Sequence, residues 1–364
     1  MGVYPVEQVE GKIGEGGMKM QKLVSPFPYF GGKSSVANKI WSAFGQVDNY
    51  IEPFFGSGAV LLSRPGWLPG LRRTETVNDA DGLLANFWRS LQADPDGVAR
   101  HADWPVNEND LEARHLWLVN KRREITAGLN APEYFDAKAA GWWVWGCACW
   151  IGSGWCSGKG PWIWDVNKHI VNSRQLPHLG GDGRGVNRQR PHLGGDGHGQ
   201  GVNRKRPHLG GDGQALRDYL GTLASRLRWV RVCSGDWSRI MGPTVTVGHG
   251  ITGVFLDPPY STEAGRGMDC YAIDCGKVAH KVRAWCEEWG RDNRMRICLA
   301  GYAGEGHGDL RKIGWREMRW KASGGYENQS QSEDGPSMNC TRERLWFSPA
   351  CQDNEPGLFD VEES

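Results

Sequence analysis

Asn49-Tyr50-Ile51-Glu52-Pro53-Phe54-Phe55-Gly56-Ser57-Gly58-Ala59-Val60-Leu61-Leu62-Ser63 decides the fold class. Asn49 to Phe54 reads as a strand, and Ser57 to Ser63 reads as the start of a helix. The two glycines between them let the backbone turn sharply. Upstream, Ser34 to Gly45 (SSVANKIWSAFG) reads as a helix; downstream, Thr74 to Asp81 (TETVNDAD) reads as a strand and turn. Asp81 to Gln92 (DGLLANFWRSLQ) then spaces its apolar residues as a helix does. The alternation resumes after Gln214. Ala215 to Trp229 is helical, Trp229 to Trp237 and Gly253 to Tyr260 are strands with loops at their ends, His280 to Asn293 is helical, and Arg296 to Tyr302 and Arg342 to Pro349 are further strands. Strands alternating with helices predict an α/β domain with a largely parallel sheet, split by a long insertion whose flanking halves fold together.

The insertion has a different character. Leu111 to Leu129 is a plausible amphipathic helix, and Gly141 to Trp164 carries a dense run of Trp. PHLGGDG then recurs from Pro177, Pro191 and Pro207, at spacings too short and too Gly-rich for a solenoid unit. Either these turns are a passive surface expansion or they form a basic loop on DNA. Charge favours seeking a phosphate surface there. Asp165 to Arg231 holds twelve Lys/Arg against five Asp/Glu, whereas the whole chain has a net charge of only +1. The expected boundaries are a disordered leader at 1–24, a split α/β domain at 25–94 and 215–350, an insertion at 95–214 with repeats at 177–213, and an acidic tail at 351–364.

At 364 residues the chain is long enough for roughly two domains. Its mean hydropathy of -0.54, and the lack of any apolar run of about 18 residues, exclude a membrane-spanning reading. The N-terminus has no apolar core or basic leader, so a cytoplasmic protein is expected. Ten scattered cysteines point to reduced thiols rather than a disulfide scaffold. Cys147, Cys149 and Cys156 come nearest to a metal cluster but lack the C-x-x-C spacing of zinc ribbons, so no metal site is assigned.

Three stretches carry chemistry. Glu52 to Gly58 sets an acid and two glycines at a strand-to-helix turn, where a backbone can pass close to a nucleotide-like ligand; a purely structural turn is the alternative. Phe255-Leu256-Asp257-Pro258-Pro259-Tyr260 follows an apolar run at a strand's carboxyl end, where open α/β sheets place ligands. Its carboxylate, rigid proline carbonyl and aromatic face could grip a planar ring bearing an amino group. Tyr29-Phe30-Gly31-Gly32-Lys33-Ser34 ends like a phosphate-binding P-loop, but Phe27 stands where that loop needs its first glycine, which excludes an ATPase of that kind.

Together F-G-G-K, E-P-F-F-G-S-G-A-V, N-D-A-D, G-D-W and D-P-P-Y, in this order, resemble the Dam-type adenine-specific DNA methyltransferases. The resemblance covers Pro26 to about Leu91 and Leu216 to about Pro349. It implies a Rossmann-like methyltransferase sheet domain, S-adenosylmethionine as cofactor and double-stranded DNA as partner. It further implies that Tyr29 and Lys33 touch the cofactor's amino-acid end, and that Glu52, Pro53, Phe54, Gly56 and Gly58 form the loop beneath it. Asp79 is implied to take the ribose hydroxyls, and Asp236 and Trp237 the cofactor's adenine. Asp257, also beside the cofactor, is implied to act with Pro258 and Tyr260 on the exocyclic N6 of a flipped-out adenine.

The family gives no guide to the insertion. Arg184, Arg188, Arg190, Arg204, Lys205 and Arg206 are read there as phosphate contacts, with base choice resting between about Asp110 and Trp164. Two other readings stay open, a cytosine-N4 methyltransferase and a catalytically silent DNA-binding protein. A monomer is expected, in a bacterial cell or a phage-infected host, with a cognate restriction enzyme as an optional companion.

Overall fold

The computed structural model describes residues 23–29, 31–68, 70–150, 155–156, 162–165, 170–173, 213–259, 278–320 and 343–352. In chain order the elements are α1 (Ala37–Phe44), β1 (Asn49–Glu52), α2 (Ala59–Leu62), β2 (Thr74–Asp79), α3 (Gly82–Ala93), α4 (Pro95–Ala102), α5 (Glu108–Gly128) and α6 (Ala137–Cys149). They continue with β3 (Trp162–Asp165), β4 (Ile170–Ser173), α7 (Gly213–Leu227), β5 (Val230–Ser234), β6 (Thr252–Leu256), α8 (Val278–Trp289), β7 (Met295–Tyr302), β8 (Arg316–Arg319) and β9 (Glu343–Phe347).

Seven strands form one sheet in the order β5-β2-β1-β6-β7-β9-β8, and β3 with β4 forms a separate antiparallel pair. The first five strands of that order are mutually parallel, while β9 runs antiparallel to both β7 and β8. The chain therefore leaves β1 toward β2 and β5, then crosses back to β6 on β1's other side. Ile51 of β1 lies opposite Thr76 of β2 and Val254 of β6. The two strands from before the long insertion are thus flanked on both sides by strands from after it.

Side-chain alternation along the strands explains the layering, since successive residues face opposite sides. Tyr50, Phe255, Cys298, Ala300, Leu345 and Phe347 enter a core shared with α1, α3, α4, α6 and α7. Ile51, Val254, Leu256, Ile297, Leu299 and Trp346 enter a second core, under α8. Buried Glu75 on β2 joins the two sequence halves: Arg64 donates to it at 2.9 Å, and Arg226 of α7 donates at 2.6 and 2.9 Å. A buried carboxylate of this kind is tolerable because both cations reach it.

Helices α3, α4, α5 and α6 start on side-chain caps, which satisfy otherwise orphaned N–H groups. Asp81 accepts from Leu83, Asp94 from Gly97, Asn107 from Asp110 and Asp136 from Ala139. The first part of the Trp-rich run, Gly141 to Cys149, lies in α6. Trp143 meets Phe27 edge-on at 4.9 Å, and Phe27 also touches Phe87 and Trp88. Residues 95–149, expected as the start of an insertion, therefore share the sheet domain's own core.

Phe27, whose identity argues against a P-loop, is fully buried there. The leader's expected boundary moves too, because Leu23 is buried and Val24 N–H donates to Tyr219 Oη at 2.9 Å. Structure thus begins before Pro26. The rest of the leader, the PHLGGDG repeats and nearly all of the acidic tail lie outside the described residues. Among the described residues no helix is long and apolar enough to cross a membrane.

Candidate active site

The crossover from β5 back to β6 opens a crevice at the carboxyl ends of β1 and β6, the position where open α/β sheets bind ligands. A cleft lies there, lined among others by Tyr29, Lys33, Glu52, Phe54, Asp79, Asp236, Trp237 and Asp257. Residues far apart in sequence converge because all but Tyr29 and Lys33, which precede α1, end or closely follow a parallel strand.

Gly56 and Gly58 shape the turn after β1. Gly56 has φ +48, and a Cβ there would stand 2.7 Å from the Tyr29 ring, so glycine lets that ring lie against the loop. Gly58 has φ +69 and supports the turn over Phe55 and Trp88, without itself lining the cleft. Pro53 lines the cleft, and its carbonyl accepts from Asn78 Nδ2 at 3.1 Å. The same amide donates to Gly235 O at 2.9 Å. Asn78 therefore ties the loops after β1 and β5 to β2. Sequence reasoning gave it no role, although it sits inside the quoted N-D-A-D.

Asp79 holds the loop from below. Its Oδ2 accepts from Gly56 N–H at 3.0 Å, and its Oδ1 accepts from Asp81 N–H at 2.9 Å. Burial pushes its pKa up to about 7, against the opposing pull of these donors. Glu52 accepts from Tyr50 Oη at 2.8 Å, and its pKa is raised well above the usual carboxylate range by burial. Nearby Asp257 adds to that rise.

Phe54 and Trp237 stack at 6.1 Å with planes 27° apart, giving the cleft an aromatic wall. Trp237 also belongs to the core under α8, so it is at once a core aromatic and a cleft residue. Asp236 is exposed beside it and caps the following turn, accepting from Ser238 N–H at 3.0 Å. The Ser238 hydroxyl and N–H, in that order, hold its pKa below the ordinary value.

Lys33 lines the cleft and is also paired with an acid there. Its ammonium lies 2.8 Å from Asp257 Oδ2 and donates to Gly31 O at 2.6 Å, with only 3% of the side chain exposed. Burial pulls its pKa down, but Asp257 and Glu343 outweigh this and the net shift is upward. The lysine therefore remains a cation. The Trp320 ring, 5.8 Å from Nζ, brings the end of β8 to this pair. Neither Trp320 nor Glu343 was a candidate from sequence. The only signal was the bare aromatic and acid in the last strands.

Asp257 directly follows β6, and Pro258 beside it is buried. Tyr260 and the six basic residues Arg184, Arg188, Arg190, Arg204, Lys205 and Arg206 lie outside the described residues. Of the predicted catalytic and cofactor residues, the structure thus brings ten into the cleft: Tyr29, Lys33, Glu52, Pro53, Phe54, Gly56, Asp79, Asp236, Trp237 and Asp257.

The family model of the D12 class N6 adenine-specific DNA methyltransferase matches residues 29–125. The matched stretch runs from Tyr29 through β1, β2, α3 and α4 into α5. It contains Lys33, the glycine turn and Asp79, and it ends well before Asp236 and Asp257. No curated protein matches the chain. The family match bears out the resemblance carried by the motifs, and the enzyme class it implies is an adenine-specific DNA methyltransferase. A family of this kind acts on DNA and typically uses S-adenosylmethionine.

Proposed function

We propose that this chain transfers a methyl group from S-adenosylmethionine to the exocyclic N6 of adenine in DNA, after the base has left the duplex. The observation that carries the reading is the meeting of Asp79, Asp236, Trp237, Lys33 and Asp257 in one cleft at the sheet's crossover. The match to an adenine-specific class favours adenine over the cytosine-N4 amine.

The polar and aromatic groups in the cleft suit the cofactor. Asp79, at the end of β2, can accept from a ribose diol. The wall of Phe54 and Trp237 suits a purine face, and Asp236 beside it suits an exocyclic amine. S-adenosylmethionine supplies an electrophilic methyl group on a sulfonium. The protein's task is to aim the acceptor nitrogen, a poor nucleophile because its lone pair is delocalised into the ring. Asp257 and the Pro258 carbonyl each accept one amino hydrogen, which turns the lone pair toward the methyl and stabilises positive charge developing on nitrogen. Tyr260 stacks on the ring. This is catalysis by orientation and fixed electrostatics. Extruding the base costs a few kcal/mol, repaid by these contacts. The basic residues between Arg184 and Arg206 add sequence-independent phosphate contacts.

The deciding experiment expresses the chain in a host lacking adenine methylation and maps modified bases by single-molecule sequencing. N6-methyladenine in a fixed context is expected. Unmodified DNA from cells containing folded protein, or N4-methylcytosine alone, overturns the reading.

Asp79 predicts a pH dependence. Below pH 7 it is increasingly the neutral acid; above, it is the charged acceptor for the ribose. Affinity for S-adenosylhomocysteine, measured by calorimetry, should therefore rise from pH 6 to pH 8, by at most about tenfold per unit, and then level off. Stability runs the other way. The folded state binds this proton more tightly than the unfolded chain does, so ionising Asp79 costs stability as pH climbs from about 4 to 7. Asp79→Asn should flatten the affinity profile; a flat wild-type profile would remove Asp79 from the cofactor's ligands.

A further inference from the structure

Asp81 lines the cofactor cleft and does three things at once. Its N–H donates to Asp79 Oδ1, its Oδ1 caps α3 by accepting from Leu83 N–H at 2.9 Å, and the same oxygen pairs with Arg122 of α5. The other guanidinium nitrogen of Arg122 donates to Cys156 O at 2.6 Å. One planar side chain thus bridges the cofactor loop and a segment more than thirty residues further along the chain.

The far end of this bridge is tightly held. Cys156 N–H donates to His115 Nδ1 at 3.3 Å, and the His115 ring stacks on Trp150 at 4.9 Å with planes 10° apart. Burial first, then the Arg122 charge, lowers the His115 pKa to about 4, so the ring is neutral and Nδ1 can accept. Cys156 itself has φ +57, a left-handed conformation that non-glycine residues seldom adopt. Bonds to its N–H and its C=O fix that strained backbone from both sides. The near end is fixed as well. A Cβ on Gly82 would stand 2.0 Å from Thr126 Oγ1, so glycine lets α5 press against the start of α3 one turn from Arg122.

Nine residues beyond Cys156 begins the stretch with twelve Lys/Arg against five Asp/Glu. We infer that Arg122 is a positioning residue that couples the two substrates: through Asp81 and Cys156 it links occupancy of the cofactor cleft to the backbone leading into the basic, DNA-facing insertion. The inference rests on the methyltransferase reading above. The strained turn at Cys156 is the element with two arrangements, left-handed when Arg122 holds it and relaxed when it does not. A ligand that bonds to Asp79 alters the charge against Asp81, and so changes how firmly Arg122 holds that turn. By linkage, DNA that favours the held turn must tighten the cofactor by the same factor.

The test measures S-adenosylhomocysteine affinity by calorimetry, with and without saturating duplex DNA carrying the methylated sequence, in the full chain and in Arg122→Lys and Arg122→Gln. Lysine keeps a charge for Asp81 but cannot span both acceptors as the planar fork does. In the wild type, DNA should tighten binding at least fivefold. In both variants the ratio should fall to within twofold of unity, while cofactor affinity without DNA changes less than threefold. A wild-type ratio near one, or an undiminished ratio in Arg122→Lys with an unchanged melting temperature, overturns the coupling. Failure of the methyltransferase reading looks different, because the wild type then binds no S-adenosylhomocysteine at all.

Discussion

Asp257→Ala is expected to lower methyl-transfer turnover more than a hundredfold while changing the affinity for S-adenosylhomocysteine less than about threefold. The expectation follows from where the carboxylate stands. It directly follows β6, where the strand's fixed end leaves the backbone little freedom, and its side chain is 19% exposed toward the cleft. A contact realised mainly as charge develops on the target nitrogen is worth roughly 3 kcal/mol, which corresponds to more than a hundredfold in rate. In the proposed reading, cofactor binding draws instead on Asp79, Asp236 and the Phe54–Trp237 wall, none of which the substitution replaces. Single-turnover kinetics separates the two quantities. Retention of more than about a tenth of wild-type turnover removes Asp257 from the chemistry, and a large loss of cofactor affinity would make it a cofactor ligand instead.

The parts of this site that were legible in the sequence share one property: each is local. A strand end followed by glycines, as at Glu52 to Gly58, shows itself in a few consecutive residues because the backbone conformation demands those residue types. The acid closing β2 and the D-P-P-Y after β6 are visible for the same reason. β8 was not visible, since Arg316–Arg319 has no apolar alternation and, among the described residues, pairs only with β9 at the sheet's edge. α6 was hidden differently. Its Trp and Gly content obscures the helical period, and only the tertiary meeting of Trp143 with Phe27 explains the composition.

Partners were the least readable feature. Nothing near Asn78 announces that its amide will reach Pro53 and Gly235, and nothing near Arg122 points to Asp81 and Cys156. These are choices among acceptors made by packing, at sequence separations from 25 to 157 residues. The partner of Lys33 was hidden on the same ground. A lysine in F-G-G-K has its backbone position set by the motif, but which carboxylate its ammonium meets depends on the end of a strand more than two hundred residues away.

That difference sets the second large effect. Lys33→Met is expected to lower turnover roughly ten- to a hundredfold, with a smaller loss of cofactor affinity. The ammonium holds Asp257 Oδ2 at 2.8 Å and is itself anchored on Gly31 O, so it fixes the rotation of the carboxylate. Without it, Asp257 can turn away, and the acidic cluster of Asp257, Glu52 and Glu343 loses a cation close to it. A hydrogen bond to a charged group contributes about 1.5–3 kcal/mol, which gives the stated range of rates. Lys33→Arg should not restore activity, because a planar fork cannot take the place of a point charge at a site only 3% exposed. The ratio of the two effects is decisive. Turnover lost with affinity largely kept makes Lys33 the group that orients Asp257. Affinity lost tenfold with turnover kept at saturating cofactor returns Lys33 to the cofactor's carboxylate, and the pairing with Asp257 then has no part in the transfer.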